Sequence, residues 1–555
     1  MSDNNLVLGI AGSIRNRAGI DDAVEGVDRN VSTETLVKGI KQLEHRDIYH
    51  EEFLGEIKPH IQGLTDANDQ VITNSDALTL AALYGAKGAA DIEFHKLTSY
   101  LGLDESYADM HIDRDRMEPL ADALQRADGI VLGTPVYFGD RSSLMHTFLN
   151  FAADRDLLQD KVVGTVSCGS KRNGGQETAN VYALFESLDH GAYIVGNGPK
   201  TCQYGGTGWG GDIGDVATDD FGLETSMGTG LRVSGVAQLR NAAEGAEESR
   251  VAEATPDPFT VGVLITRDKN GEVRSSVERT ISRIDHAEDV EFNVVDFTES
   301  YVQACIGCDV CPTPAKVEDV TGEGKDYKCI IDDDLDEDRW TEDDLQDLHS
   351  QLMGNDALVI AAYDGDEDGI TDTYQTLLER TRYIRRDDWR LHNLPLAAYV
   401  VRTPQKSSTY PMKIMTSWMR HNTIINPPII HTSVDATGET PLDDETAAEL
   451  KAHYNEGATE QFADFVARAR RLRAAAETTD ADELSYKATG YQNKILDRPY
   501  RAERNLETTH TSTNNVHRHR RRRRYRRHRS RREGRIVPRH PRANRSGVRR
   551  PRVHV

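Results

Sequence analysis

The sequence predicts an α/β protein: two tandem doubly wound parallel sheets with helices on both faces, then an Arg-rich tail without a fold of its own. Three observations carry this. Short, continuously apolar runs alternate with amphipathic stretches, as strands buried on both faces between helices do. The pattern occurs twice: Asp91-Ile92-Glu93-Phe94 has its counterpart in Asp289-Val290-Glu291-Phe292, and Asp128-Gly129-Ile130-Val131-Leu132 in Asp356-Ala357-Leu358-Val359-Ile360. The length, 555 residues, also exceeds what one hydrophobic core fills.

The first strand is Leu6 to Ala11, matched in the second half by Val261 to Ile265. A long insertion, residues 16–73, follows it, with helical spacing over Thr33 to Leu43 and around Tyr49 to Ile61. Asn74-Ser75-Asp76 reads as the cap of the next helix. Met117 to Arg126 and Leu345 to Met353 are the helices ahead of the third strands, and Lys161 to Val166 corresponds to Leu396 to Val401. This gives domains at residues 1–243 and 259–476, an acidic Ala-rich linker at 244–258 and a basic tail at 477–555.

The net charge of −24 averages two unlike parts. Val516 to Val555 holds 18 Arg and one Glu, so the first 515 residues carry 49 basic and 90 acidic side chains, a balance of −41. An acidic body in which Lys supplies only 17 of 67 basic residues suits the cytoplasm of a salt-rich cell. Its sign excludes phosphate-backbone binding, and so nucleic acid, as a role for the body. No apolar run reaches membrane-spanning length and no signal peptide opens the sequence, so a cytoplasmic protein is expected.

In an open parallel sheet, ligands bind beyond the carboxyl ends of the strands. Three such loops stand out in the first half. Gly12-Ser13-Ile14-Arg15 offers a hydroxyl, a guanidinium and free amides to a phosphate monoester. Thr134-Pro135-Val136-Tyr137-Phe138-Gly139 offers apolar surface to a flat ring. Cys168 to Glu177 contains Gly169, Lys171, Arg172, Asn173, Gly174 and Gly175, pairing close backbone approach with positive charge that is rare in this body. Tyr204 to Gly211 is a further Gly-rich stretch able to border the same cleft. Each loop alone also reads as an ordinary turn or as core packing.

Together, Gly-Ser-x-Arg at 12–15, Asn74-Ser75, Thr-Pro-Val-Tyr-Phe-Gly at 134–139 and Arg-Asn-Gly-Gly-Gln-Glu at 172–177 resemble the flavodoxin-like NADPH-dependent FMN reductase family, which includes the archaeal iron–sulfur flavoproteins. The resemblance covers most of residues 6–212. It implies that Ser13, Arg15 and Ser75 face the phosphate of FMN. It also implies that Thr134, Pro135, Val136, Tyr137, Phe138 and Gly169 to Gly175 flank the isoalloxazine, with NAD(P)H as electron donor.

The second half lacks those loops: Ala362-Tyr363-Asp364-Gly365 and Thr266 to Gly271 stand in their places, and carboxylates there would repel a flavin phosphate. It has instead Cys305, Cys308 and Cys311, then Cys329 after 17 intervening residues. Cys-x2-Cys-x2-Cys plus a fourth thiolate suits a [4Fe–4S] cluster better than zinc, whose ribbons use two Cys-x2-Cys pairs; metal-free thiols are the third alternative. Cys168 and Cys202 lack ligand spacing and read as packed or merely exposed thiols. The expected function is an FMN-dependent NAD(P)H oxidoreductase, or an electron-transfer iron–sulfur flavoprotein, serving a redox partner protein or a small acceptor. Homo-oligomerisation is compatible with this reading. No residue demands a general acid–base role. The alternative is a non-catalytic tandem module using its cleft for a partner. The tail suits nucleic acid, an anionic membrane surface or the acidic body itself, and equally an out-of-frame reading of a GC-rich gene.

Overall fold

The computed structural model describes residues 5–13, 32–46, 48, 50–65, 72–100, 114–198, 202–245, 251, 258–284, 290–307, 343–366, 368–386, 391–402, 409–433 and 444–478. Arg15, the sequence-predicted ligands Cys308, Cys311 and Cys329, and the tail beyond 478 lie outside them.

The first half contains strands β1 (Leu6–Ala11), β2 (Asp91–Lys96), β3 (Gly129–Pro135), β4 (Val162–Gly169), β5 (Tyr193–Ile194) and β6 (Gly206–Trp209). β1 pairs parallel with β2 and β3, β3 with β4, and β4 with β5 at its start and β6 at its end. The order is thus 2-1-3-4-5 with an interrupted fifth strand, the flavodoxin-like arrangement. Every residue of β4 is buried, which is why it reads as an unbroken run of small and apolar side chains.

The second half repeats the order with β7 (Phe259–Lys269), β8 (Val290–Asp296), β9 (Ala357–Asp364), β10 (Ile370–Asp372), β11 (Pro395–Arg402), β12 (Ile424–Ile425) and β13 (Ile430–Ser433). β7 lies between β8 and β9, β9 pairs with β11, and β12 and β13 share the outer side of β11. β10 is the departure, pairing antiparallel with the far end of β7.

The two halves form one sheet. β12 pairs antiparallel with β5 through Ile425 and Ile194, and the strand order runs β10-β7-β9-β11-β12-β5-β4-β3-β1-β2. One hydrophobic cluster spans both halves, including Leu8, Ile130, Phe148, Leu264, Leu358 and Trp418. Polar contacts reinforce the junction: Arg232 Nη2 donates to the carbonyl of Asn422 at 2.7 Å, and the Cys202 thiol donates to those of Met419 and Arg420. Burial pushes Cys202 up to about 11, so it is a packed thiol.

The helix Asn74–Ala86 is buried along its whole length. A helix apolar all round needs cover on all sides. The sheet supplies one side and the helix Asp220–Glu244 another, at an approach so close that a Cβ on Gly230 would lie 1.7 Å from the Ala82 carbonyl. The helices Thr33–Gln42 and Ile57–Thr65 of the insertion supply the rest, anchored by Tyr84 Oη donating to Glu44 O at 2.7 Å. The insertion therefore covers this helix. Its second helix begins at Ile57, later than the expected Tyr49, because residues 50–55 close into two tight turns, Phe53 N to His50 O and Gly55 N to Glu52 O. The helix cap is Thr73 rather than the Asn74-Ser75-Asp76 stretch: Thr73 and Asp76 form a reciprocal capping box.

Candidate functional site

The strand order reverses between β1 and β3, so their carboxyl ends open the crevice where such folds bind ligands. Gly12 continues β1, its amide donating to Gly133 O at 2.8 Å, and Ser13 follows, almost completely buried. Two helices start against this point. Ser142, cap of the helix Ser143–Ala153, donates its hydroxyl to Gly12 O at 2.6 Å. Ser75 lies in the first turn of Asn74–Ala86, and its carbonyl would be 3.4 Å from a Cβ on Gly133. Buried hydroxyls between two helix amino ends form a polar cradle that fits a phosphate monoester. Lys96 at the end of β2 adds a cation but is held at 3.2 Å by Asp76.

The second loop is a tight hairpin. Tyr137 N donates to Asp140 O at 2.8 Å and Asp140 N to Tyr137 O at 3.0 Å, with Phe138 and Gly139 left-handed at φ 52° and 82°. A left-handed aromatic residue is strained, yet Phe138 projects wholly into solvent (109% exposed) and Tyr137 is half exposed. Trp209 and Phe221 are also exposed. Pro135 and Val136 are half-buried, and Val136 N donates to Cys168 O at 3.0 Å. Thr134 is buried with its hydroxyl spent within the protein, accepting Ser142 N at 3.0 Å and donating to Pro135 O. It shapes the loop from behind.

In the third loop, Gly169 is buried, while Arg172, Asn173 and Gly174 are exposed. Gly175 caps the helix Gln176–Asp189 at φ 96°, and a Cβ there would come within 2.8 Å of Gly139 Cα, so the second and third loops touch backbone to backbone. Arg172 is not the free cation its sequence position suggests. It pairs with buried Asp219 and donates to Thr207 O at 3.0 Å. Two organisers escaped the sequence reading. Gln176 donates to Lys171 O (2.6 Å) and Gly208 O (3.0 Å) and accepts Gly174 N (2.8 Å), fixing the third loop. Asp219 caps Asp220–Glu244 and also accepts Trp209 N at 2.7 Å. The only sequence signal for Asp219 is an acidic residue at a helix start.

The corresponding place in the second half is filled by the chain itself. β7 runs on to Lys269 through a bulge between Ile265 and Arg267, and β10 pairs with that extension. Buried Arg267 donates to the carbonyls of Tyr363 and Gly365 and pairs with Asp372. Of the four spaced cysteines, Cys305 is described: it is half-buried, and its Sγ accepts Gly307 N at 3.5 Å. Among the described residues no group of three or more His, Cys, Asp or Glu is placed to hold a metal, and no helix is long and apolar enough to cross a membrane.

Because β5 and β12 are antiparallel, the two halves open toward opposite edges of the sheet. Cys305 follows the carboxyl end of β8 on the second half's edge. Seven strand steps separate β1 from β7 (β7-β9-β11-β12-β5-β4-β3-β1), a span on the order of 30 Å. The crevice and Cys305 of one chain are therefore not neighbours.

Residues 71–199 match the family model described as NADPH-dependent FMN reductase. Over these residues the first half is similar to the FMN reductase family. The same half has curated relatives among archaeal iron–sulfur flavoproteins. One from Methanocaldococcus jannaschii is 38% identical over 130 residues, 22% of this chain and 66% of the relative. One from Methanosarcina thermophila is 30% identical over 136 residues, covering 22% and 64%. An NAD(P)H dehydrogenase (quinone) of Nitrobacter winogradskyi is 40% identical over 87 residues, 15% of this chain and 44% of the relative. The chain thus spans about two thirds or less of the length of these relatives.

Proposed function

We propose that the protein is an FMN-dependent oxidoreductase taking electrons from NAD(P)H, with FMN in the β1/β3 crevice and a Cys₄-ligated [4Fe–4S] cluster in the second half. The observation that carries the flavin assignment is the crevice itself: buried Ser13 and Ser75 at converging helix starts, beside an exposed aromatic rim of Tyr137, Phe138 and Trp209. Ser13, Ser75 and the helix amides hold the phosphate, with Arg15 the proposed additional ligand. The 135–139 and 169–175 backbones border the ring, Gln176 keeps the third loop in place, and the solvent-exposed Phe138 offers apolar surface to a planar group. The chemistry supplied by bound FMN is acceptance of a hydride and its release as a pair or as single electrons. The names of the relatives suggest quinone-class acceptors, and exposed aromatic side chains suit them.

For the cluster, support comes from the thiolate spacing and the relatives' names. With the two sites at opposite edges, electrons exchanged between them pass between different chains or through a partner. We place the domains at 1–243 and 259–476 and the protein in the cytoplasm. Anaerobically purified protein reduced with NADPH tests the reading: flavin bands should bleach first, then a broad iron–sulfur shoulder that is absent in Cys305→Ser. Flavin bands that NADPH and NADH leave unchanged would refute the donor assignment.

A further inference from the structure

The three loops of the crevice meet at consecutive residues, Asp140, Arg141 and Ser142. Asp140 closes the rim hairpin, exchanging backbone hydrogen bonds with Tyr137. Ser142 reaches the first loop, its hydroxyl donating to Gly12 O at 2.6 Å. Arg141 reaches the element that carries the third loop. Its Nη2 pairs with Glu186 on the helix Gln176–Asp189, the helix that Gly175 caps. Its Nη1 donates to Asp140 Oδ1 at 3.0 Å, and that oxygen also accepts Arg141 N at 2.7 Å. The other carboxylate oxygen of Asp140 lies 3.2 Å from His146 Nε2, on the helix Ser143–Ala153.

Arg141 is the buried member of this group, its side chain 6% exposed against 35% for Asp140 and 22% for Glu186. Holding a charge there costs desolvation, and an apolar side chain of similar length would pack as well or better. What the apolar chain lacks is direction. A planar guanidinium fork fixes two carboxylates relative to each other, and here one belongs to the hairpin and the other to the helix. The hairpin is the strained one, with Phe138 left-handed at φ 52° and its ring in solvent. A turn of that kind persists only where its surroundings hold it. Glu186 follows Gln176 by ten positions, about 15 Å along the helix, so the hairpin is anchored well away from the crevice.

We propose that Arg141 is a positioning residue for the crevice, tying the strained rim hairpin to the helix behind the third loop and so setting the gap between the two loops that border the ring. The proposal rests on the reading that the crevice holds FMN.

The test uses the full-length chain carrying Arg141→Met, with Glu186→Gln as a second variant in the body of the helix. In flavin-free protein, hydrogen exchange of the peptide holding the Tyr137 and Asp140 amides should quicken by roughly tenfold or more, the scale of losing a hydrogen bond to a charged group. With FMN bound and NADPH saturating, flavin reduction should slow by about tenfold or more, the scale of a displaced reacting group. Arg141→Lys keeps the charge but brings a single point charge to two carboxylates, so its rates should fall between. A pair that served stability alone would lower the melting temperature and leave both rates at their wild-type values, and that result would overturn the proposal. If the wild type takes up no FMN, or holds FMN that NADPH does not reduce, the functional reading fails instead, and the exchange rate alone decides the role of Arg141. Should Arg141→Met not fold, Glu186→Gln and Arg141→Lys are read by the same two rates.

Discussion

Replacing Gly175 with Ala should separate the second and third loops of the crevice and weaken flavin binding. Gly175 is left-handed at φ 96°, where an L-residue costs about 1–2 kcal/mol relative to Gly. The new Cβ would also lie 2.8 Å from the backbone of Gly139, so no rotamer change relieves it and the loops must part by a few tenths of an ångström. Because both loops border the proposed ring site, that cost falls on the cofactor-binding arrangement. At 1.4 kcal/mol per tenfold, FMN affinity should drop about 5- to 30-fold. The assay is fluorescence titration of deflavinated protein with FMN. Gly191→Ala is the control: it is also left-handed, at φ 84°, but its nearest neighbour is Gln159 at 3.4 Å, away from the crevice. It should lower the melting temperature and leave FMN affinity alone. If Gly175→Ala binds FMN within about twofold of wild type while Gly191→Ala shows its stability loss, the loops do not frame the flavin.

Three further outcomes are expected. Phe138→Gly removes the strain of a left-handed, fully exposed aromatic residue and should stabilise the flavin-free protein by about 1 kcal/mol in urea denaturation, while FMN affinity falls; equal affinity would make Phe138 idle. Asp219→Asn removes the charge that holds Arg172 and turns one of the two oxygens that accept Gly222 N (Oδ1) and Trp209 N (Oδ2) into a donor. It should cost about 2 kcal/mol in urea denaturation and loosen FMN, whereas an unchanged midpoint would contradict its role as organiser. Burial lowers His421 from 6.5 to about 3 in the folded protein. Between those values the unfolded chain binds a proton that the folded chain does not, so stability falls as pH falls, by up to about 1.4 kcal/mol per unit. Urea midpoints at successive pH values should therefore decline more steeply for wild type than for His421→Phe, and parallel slopes would refute this.

What could be read in the sequence follows from how each element is buried. β1, β3, β4, β9 and β11 are covered on both faces and appear as apolar runs, so their repetition revealed the sheet and its two halves. The junction was not legible, because β5 and β12 are two residues each and their pairing depends on residues far apart in sequence. Asp220–Glu244 hid its helical character behind Gly, Ser and Thr, which let it approach Asn74–Ala86 closely. In the crevice, the loop positions could be read but the side-chain roles could not. Thr134 faces inward and Arg172 is neutralised by Asp219, a residue 47 positions away.

The central claim, a flavin site in the first half with its counterpart in the second filled by Arg267 and β10, is tested most directly by flavin stoichiometry. Protein purified anaerobically in high salt, saturated with FMN and freed of excess, should hold one FMN per chain, with flavin absorption bands to match. A colourless protein that takes up no FMN would contradict the first part of the claim, and two FMN per chain the second.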